Sequence, residues 1–203
     1  MHTTFKELHD WNACKPSYKK LGKALGGIRN YGRNTPIKLS QILDICGLDD
    51  TFWVLMRLKL INECMQDLQL FACDCAERAL PIFEASFPDD KRPRDAINTA
   101  RRYIAEGAPE SEFRAAEAAS WAAARAVSWA GRTAADAAAE AASWAARAAS
   151  WAAGTAADAA DAARTATWAS GDACAAEYAA QTEMLNKILR KWERTPPTEG
   201  AAE

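Results

Sequence analysis

Apolar side chains in this chain recur at three- and four-residue intervals, the spacing that brings them to one side of an α-helix. Leu39, Ile42, Leu43 and Cys46 form one such set, closed by Gly47, which suits a helix C-terminus. Phe52, Trp53, Leu55, Met56, Leu58 and Leu60 follow, with Asp50 or Thr51 placed to cap the helix that carries them. Leu68, Phe71, Ala72, Cys75, Ala79, Ile82 and Phe83 make a longer stripe of the kind a helix buries. Pro88-Asp89-Asp90 reads as a turn. Pro93 then stands where a first helical turn tolerates proline, and Ala96, Ile97, Ala100, Tyr103 and Ile104 form the next stripe, ended by Gly107. Nearer the start, Thr3 to Glu7 opens a short helix, and Ser17 is placed to cap another that stops at Gly26-Gly27. No run alternates apolar with polar as a half-buried strand does. The expected fold class is all-α, a helical bundle.

From residue 108 the pattern changes in kind. About every second residue up to 180 is alanine, and a 22- to 23-residue unit repeats: Ala118-Ala119-Ser120-Trp121 returns as Ala141-Ala142-Ser143-Trp144. A period of 22 is about six turns of helix, so equivalent residues return to nearly the same face. Glycine followed by Thr-x-x-Asp, at Gly131/Thr133/Asp136 and Gly154/Thr155/Asp158, is a helix stop followed by a capping start. Gly171-Asp172 is a weaker third break. Bare alanine faces let helix axes approach to about 8 Å. The tryptophans at 121, 129, 144, 151 and 168 then act as large knobs, each burying roughly 200 Å². The expected organisation is a basic segment plus conventional helical core over 1–107, an Ala/Trp-rich region of closely packed helices over 108–194, and a disordered tail over 195–203 after Pro196-Pro197.

Charge and chemistry narrow the function. A formal net charge of −2 over 203 residues excludes bulk attraction to nucleic acid or to an anionic membrane. No apolar run reaches membrane-spanning length. Cysteines stand at 14, 46, 64, 73, 75 and 174 without C-x-x-C spacing, which fits free thiols in a reducing cytoplasm. His2 and His9 fall in an N-terminus expected to be mobile. No nucleophile, base and orienting group come together, so no enzyme activity, metal or cofactor is expected.

The clearest anomaly is a run from Trp11 to Leu43 with no acidic residue, in which Lys15, Lys19, Lys20, Lys23, Arg29, Arg33 and Lys38 give +7 and leave −9 for the rest. Glycines in the same run let backbone amides approach an anion, arginine grips phosphate with a fork of donors, and tyrosine stacks or hydrogen-bonds. Lys19, Lys20, Lys23, Gly26, Gly27, Arg29, Tyr31 and Arg33 are thus the candidate residues for an anion or nucleotide pocket, or for contact with an acidic partner. The plain alternative is a solvated basic face that pairs with the acidic remainder. The spacing is no Walker loop.

Other groups have stronger structural than functional readings. Asp50 and Trp53 read as a cap and a core residue. Cys73 and Cys75 lie two apart on a helix and point apart, which argues against a metal or redox pair. Asp74 and Glu77 share a face and can pair with Arg78 or another basic group. Asp89, Asp90, Lys91, Arg92 and Arg94 form a charged turn whose arginines can reach an anion. Asp136 and Asp158 are explained by capping, Asp161 stands nearby, and the tryptophans by core packing rather than base stacking.

Several stretches resemble a known family: Leu25-Gly26-Gly27, Thr35-Pro36-Ile37, Gly47-Leu48-Asp49-Asp50, Phe52-Trp53, Leu80-Pro81-Ile82-Phe83-Glu84 and, most specifically, Asp74-Cys75-Ala76-Glu77 and Pro88-Asp89-Asp90-Lys91-Arg92-Pro93-Arg94. With the alanine-rich tail they are similar to the "putative immunity protein" family of phages, prophages and other bacterial genomes, over roughly residues 25–180. The resemblance implies an all-helical chain that neutralises a toxin or a defence activity and brings no catalytic residue. The reading is a phage or prophage accessory that antagonises bacterial defence in the host cytoplasm by sequestering a nucleotide-derived immune signal, such as a cyclic nucleotide or an ADP-ribose derivative, as a homo-oligomer. The alternatives are an immunity-type protein that binds a host toxin or effector protein, and a structural helical adaptor.

Overall fold

The structure, a computed structural model, describes residues 1–58, 62–106 and 155–194, with Ser111, Arg114, Ala118, Glu140 and Trp144 besides. Nine α-helices and one two-stranded antiparallel sheet lie among the described residues, in agreement with an all-α chain. Contacts divide the chain into two compact units, Met1–Ile61 with Thr182–Glu203, and Asn62–Gln181. The change of composition near residue 107 lies within the second.

In the first unit, β1 (His2–Thr3) pairs with β2 (Ile37–Lys38), His2 opposite Lys38 and Thr3 opposite Ile37. With two residues to a strand, this sheet is too short to leave an alternating pattern, and it was not expected. It also corrects the expectation of a mobile N-terminus, since Thr3 is buried and helix α1 (Phe5–Asp10) follows directly. Thr4 caps α1, its hydroxyl oxygen accepting the Glu7 N–H at 3.1 Å, while its hydroxyl donates to the Glu7 carboxylate at 3.2 Å. Asn12 ends α1 in the left-handed region at φ 58°, and Ala13 N–H returns to the Leu8 carbonyl at 2.9 Å.

Helix α2 (Lys15–Ala24) starts two residues before the expected Ser17 cap, because Pro16 occupies its first turn, where a missing N–H costs nothing. It stops at Gly26-Gly27, as expected, and the short α3 (Ile28–Tyr31) follows. Helix α4 (Leu39–Cys46) ends at Gly47, also as expected. Gly47 in turn caps α5 (Leu48–Leu55), which corrects the assignment of Asp50 or Thr51. Those residues lie inside the first turn, where the Thr51 hydroxyl donates back to the Gly47 carbonyl at 2.8 Å. Helix α5 also stops at Leu55, so Met56 and Leu58 belong to the turn after it. Phe5, Leu8, Leu21, Ile37, Leu39, Ile42, Leu43, Phe52 and Leu55 form the core, with Leu185, Leu189 and Trp192 from the C-terminal segment of the same unit.

The second unit is built on α6 (Asn62–Ser86), which runs through Pro81 without a break, and α7 (Arg92–Glu106), which holds Pro93 in its first turn. All of the predicted α6 stripe is buried except Ile82, which is half-buried, and Cys64, Cys73, Ala76 and Leu80 are buried as well. Helix α8 (Thr155–Ala169) packs on α6. Ala159, Ala162, Ala163, Ala166 and Ala169 form its buried stripe, the close-packing alanine face read from the sequence. A 3-10 turn at Gly171–Ala173 realises the third break, and α9 (Cys174–Arg194) follows. The earlier repeats, 108–154, and the tail lie outside the described residues save for the isolated positions.

Candidate functional site

The +7 run folds as α2, α3 and β2 of the first unit. Lys15, Lys19, Lys20, Lys23, Arg29, Arg33 and Lys38 are all exposed, and none enters an ion pair with a described residue. Among the described residues the basic face does not pair with the acidic remainder. Lys15, Lys19 and Lys23 stand four apart along α2 and so form one row.

The non-cationic part of the proposed pocket has other work. Gly26 and Gly27, at φ 81° and 96°, carry the left-handed stop of α2. Their N–H groups donate to the Lys23 carbonyl at 3.2 Å and the Gly22 carbonyl at 2.8 Å, so they are not offered to an anion. The Tyr31 hydroxyl donates to the Pro36 carbonyl at 2.9 Å and its ring meets Phe5 edge-on at 5.9 Å. Tyr18 also meets the Phe5 ring edge-on, at 5.4 Å, and donates to the Phe5 carbonyl at 3.2 Å. Both tyrosines hold α1 rather than a base.

A groove of about 430 Å³ does open beside this face, lined by His9, Asn12, Ala13, Cys14, Lys15, Tyr18 and Lys19. Of the eight candidate residues, Lys19 alone lines it. Sequence reasoning missed His9, Asn12 and Cys14, because the turn that brings them against α2 depends on the conformation of Asn12. A positively charged rim and an apolar floor suit an acidic side chain.

The secondary candidates resolve as internal contacts. The Arg92 guanidinium grips Asp90, and Arg94 grips Glu84 with Nε at 2.5 Å and a terminal nitrogen at 2.6 Å. These arginines hold both carboxylates below their usual pKa range. Asp74 and Glu77 both accept from one nitrogen of Arg101, each at 2.7 Å, rather than from Arg78. Arg164 takes Asp161, and Asp158 is buried in the first turn of α8. Cys73 and Cys75 are both fully buried. Burial pushes the Cys73 thiol up to about 12 and the Cys75 thiol well above its ordinary value, so neither is a nucleophile. Among the described residues no group of His, Cys, Asp and Glu is arranged to hold a metal, and no helix is long and apolar enough to cross a membrane. Trp53 sits between Trp11, edge-on at 6.5 Å, and the Arg57 guanidinium, 4.6 Å above its ring. It is half-buried. Trp144 is half-buried and Trp168 is 47 % exposed, so the packing expected of the tryptophans does not extend to Trp168. Trp121, Trp129, Trp151 and Asp136 lie outside the described residues.

The model of the family described as "Imm-5 like putative immunity protein" matches residues 59–193. The chain belongs to this family. No curated protein and no solved structure matches it. The match bears out the resemblance on its most specific stretches, Asp74-Cys75-Ala76-Glu77 and Pro88 to Arg94. In this Imm-5 like protein those stretches fasten α7 to α6 through Asp74 and Glu77, held by Arg101, and through Arg94, which holds Glu84. The cationic face and the groove precede the matched span.

Proposed function

We propose that this Imm-5 like protein is a non-catalytic immunity protein that neutralises a toxin or effector protein by binding an acidic surface of it. The observation that carries the reading is the row of exposed cations on α2 and α3, unpaired with any described carboxylate. Exposed like charges one helical turn apart destabilise a helix slightly, and a complementary partner reverses that cost while steering association. Family membership supports neutralisation by binding. Sequestration of a nucleotide-derived signal draws on the same cations, but it needs donors that Gly26, Gly27 and Tyr31 have given to the fold.

The test is a pull-down from host lysate with the intact chain and with a Lys20→Glu, Arg29→Glu, Arg33→Glu variant. A protein retained by the intact chain, eluted by salt and lost in the variant is the expected result. Heat released on titration with cyclic nucleotides or ADP-ribose, with no retained protein, overturns it in favour of the nucleotide reading. A homo-oligomer belongs to the same proposal, checked by sedimentation.

A further inference from the structure

We infer, building on the reading just proposed, that the groove where α1 meets α2 takes an extended acidic segment of the partner, with carboxylates at alternate residues. Its volume of about 430 Å³ lies in the range of sites that enclose a small ligand or a few side chains. The walls are preorganised. Asn12 N–H on the His9 carbonyl at 3.0 Å and Ala13 N–H on the Leu8 carbonyl at 2.9 Å fix the turn that sets His9 and Asn12 facing α2. Lys15 and Lys19, one turn apart on α2, supply the charge. Side chains four apart on a helix are roughly 6 Å apart at Cβ, and alternate residues of an extended chain are about 6.6 Å apart. The two repeats match closely enough for each ammonium to meet one carboxylate, and Lys23 continues the row beyond the groove. Of the carboxylates on α1, Asp10 is engaged by Lys6 at 3.0 Å and Glu7 by the Thr3 and Thr4 hydroxyls. Ala13 and the Tyr18 ring give the methylenes of a glutamate an apolar floor. A phosphate is the poorer fit, since no arginine fork lines the groove and lysine acts as a point charge.

Cys14 lines the groove and is exposed, which makes it a reporter of occupancy, and the exposed Cys174 is the internal reference. The full chain is alkylated with iodoacetamide, with both cysteines followed by peptide mass mapping, alone and with a nine-residue peptide alternating Glu and Ser. The expected result is at least fivefold slower modification of Cys14 at saturating peptide, with Cys174 unchanged. The same peptide with Gln for Glu gives no protection, and a Lys15→Gln, Lys19→Gln variant of unchanged circular dichroism loses it. Unprotected Cys14, protection that survives the double substitution, or stronger protection by AMP or inorganic phosphate overturns the inference. Because Lys20, Arg29 and Arg33 do not line the groove, the two ideas fail separately. A partner lost on reversing those three while Cys14 stays unprotected sinks the groove alone. Protection of Cys14 with no retained protein sinks the partner reading.

Discussion

Arg78 and Glu177, 99 residues apart, are joined through a single guanidinium nitrogen: Arg78 Nε donates to both carboxylate oxygens of Glu177, at 3.1 and 2.9 Å. Glu177 is buried, while the arginine keeps almost half of its side chain in solvent. Gln181, fully buried one turn along α9, donates to the same carboxylate at 2.9 Å and to the Ala163 carbonyl at 3.0 Å, and accepts from the Thr167 hydroxyl at 3.0 Å. Alanine faces pack closely but slide easily, since they have no shape to set their register. This polar chain across α6, α8 and α9 supplies the register.

Removing the guanidinium leaves the carboxylate buried without that countercharge. Arg78→Ala is therefore expected to cost about 1–3 kcal/mol, below the range for fully buried pairs because Arg78 is part-exposed. Glu177→Gln in the Arg78→Ala background removes the uncompensated charge and costs less than the two changes summed. Urea denaturation of the four proteins of the cycle measures this; strictly additive losses contradict a coupled pair.

Glu84 and Arg94 give a pH signature. Hydrogen bonds from Arg94 hold the Glu84 pKa below its ordinary 4.5. A carboxylate with a lowered folded-state pKa contributes stability in full above its unfolded pKa and loses it as pH falls through the folded value. Arg94 is well exposed, so screening limits the contribution to about 1 kcal/mol or less. Glu84→Gln is expected to be destabilised by that amount at pH 7, with the gap closing as pH drops below about 4.5. Unfolding midpoints at pH 7, 4.5 and 3 decide it, and a gap that stays constant across them removes the ion pair as its cause.

Two tryptophans separate buried from exposed indoles. Trp192 is 2 % exposed and Trp168 47 %. Trp192→Ala is expected to cost about 3–5 kcal/mol and Trp168→Ala under about 1. The same pair is checked by acrylamide quenching of single-tryptophan variants, where equal quenching of the two rings contradicts their burial.

What the sequence made legible was local. Thr4, Gly47, Pro93 and Gly171 act within a turn of their own position, and each stands where capping and breaking rules put it. The buried stripe from Leu68 to Phe83 follows from helical period alone. The start of α5 was misplaced because Asp50 and Thr51 are good caps, whereas Gly47 serves two helices at once through a backbone angle with no side-chain signature. Contacts over long separations were out of reach. The Ser40 hydroxyl donates to Glu193 at 2.7 Å across 153 residues, and this joins the N- and C-terminal segments within the first unit. The cations of the candidate site were visible as charge. The groove beside them was not, since it exists only once Asn12 turns the chain.

Gly26, assigned first to a ligand and now to the fold, and its neighbour in the same run, Gly32, offer the last test. Gly32 and Gly26 both have positive φ, 96° and 81°. A Cβ on Gly26 meets nothing within 4 Å, whereas one on Gly32 falls 2.6 Å from the Thr35 hydroxyl oxygen. That hydroxyl is itself held, donating to the Tyr31 carbonyl at 2.6 Å, so it yields only by breaking the bond. Gly26→Ala is expected to cost about 1 kcal/mol, the backbone strain alone. Gly32→Ala adds the lost hydrogen bond, about 1 kcal/mol more. In a Thr35→Ala background the Gly32→Ala cost falls to that of Gly26→Ala. Thermal unfolding of the set checks both numbers. Equal losses for the two glycine variants in the wild-type background rule out the Thr35 clash, and a Gly26→Ala protein of unchanged stability removes the structural role given to the α2 stop.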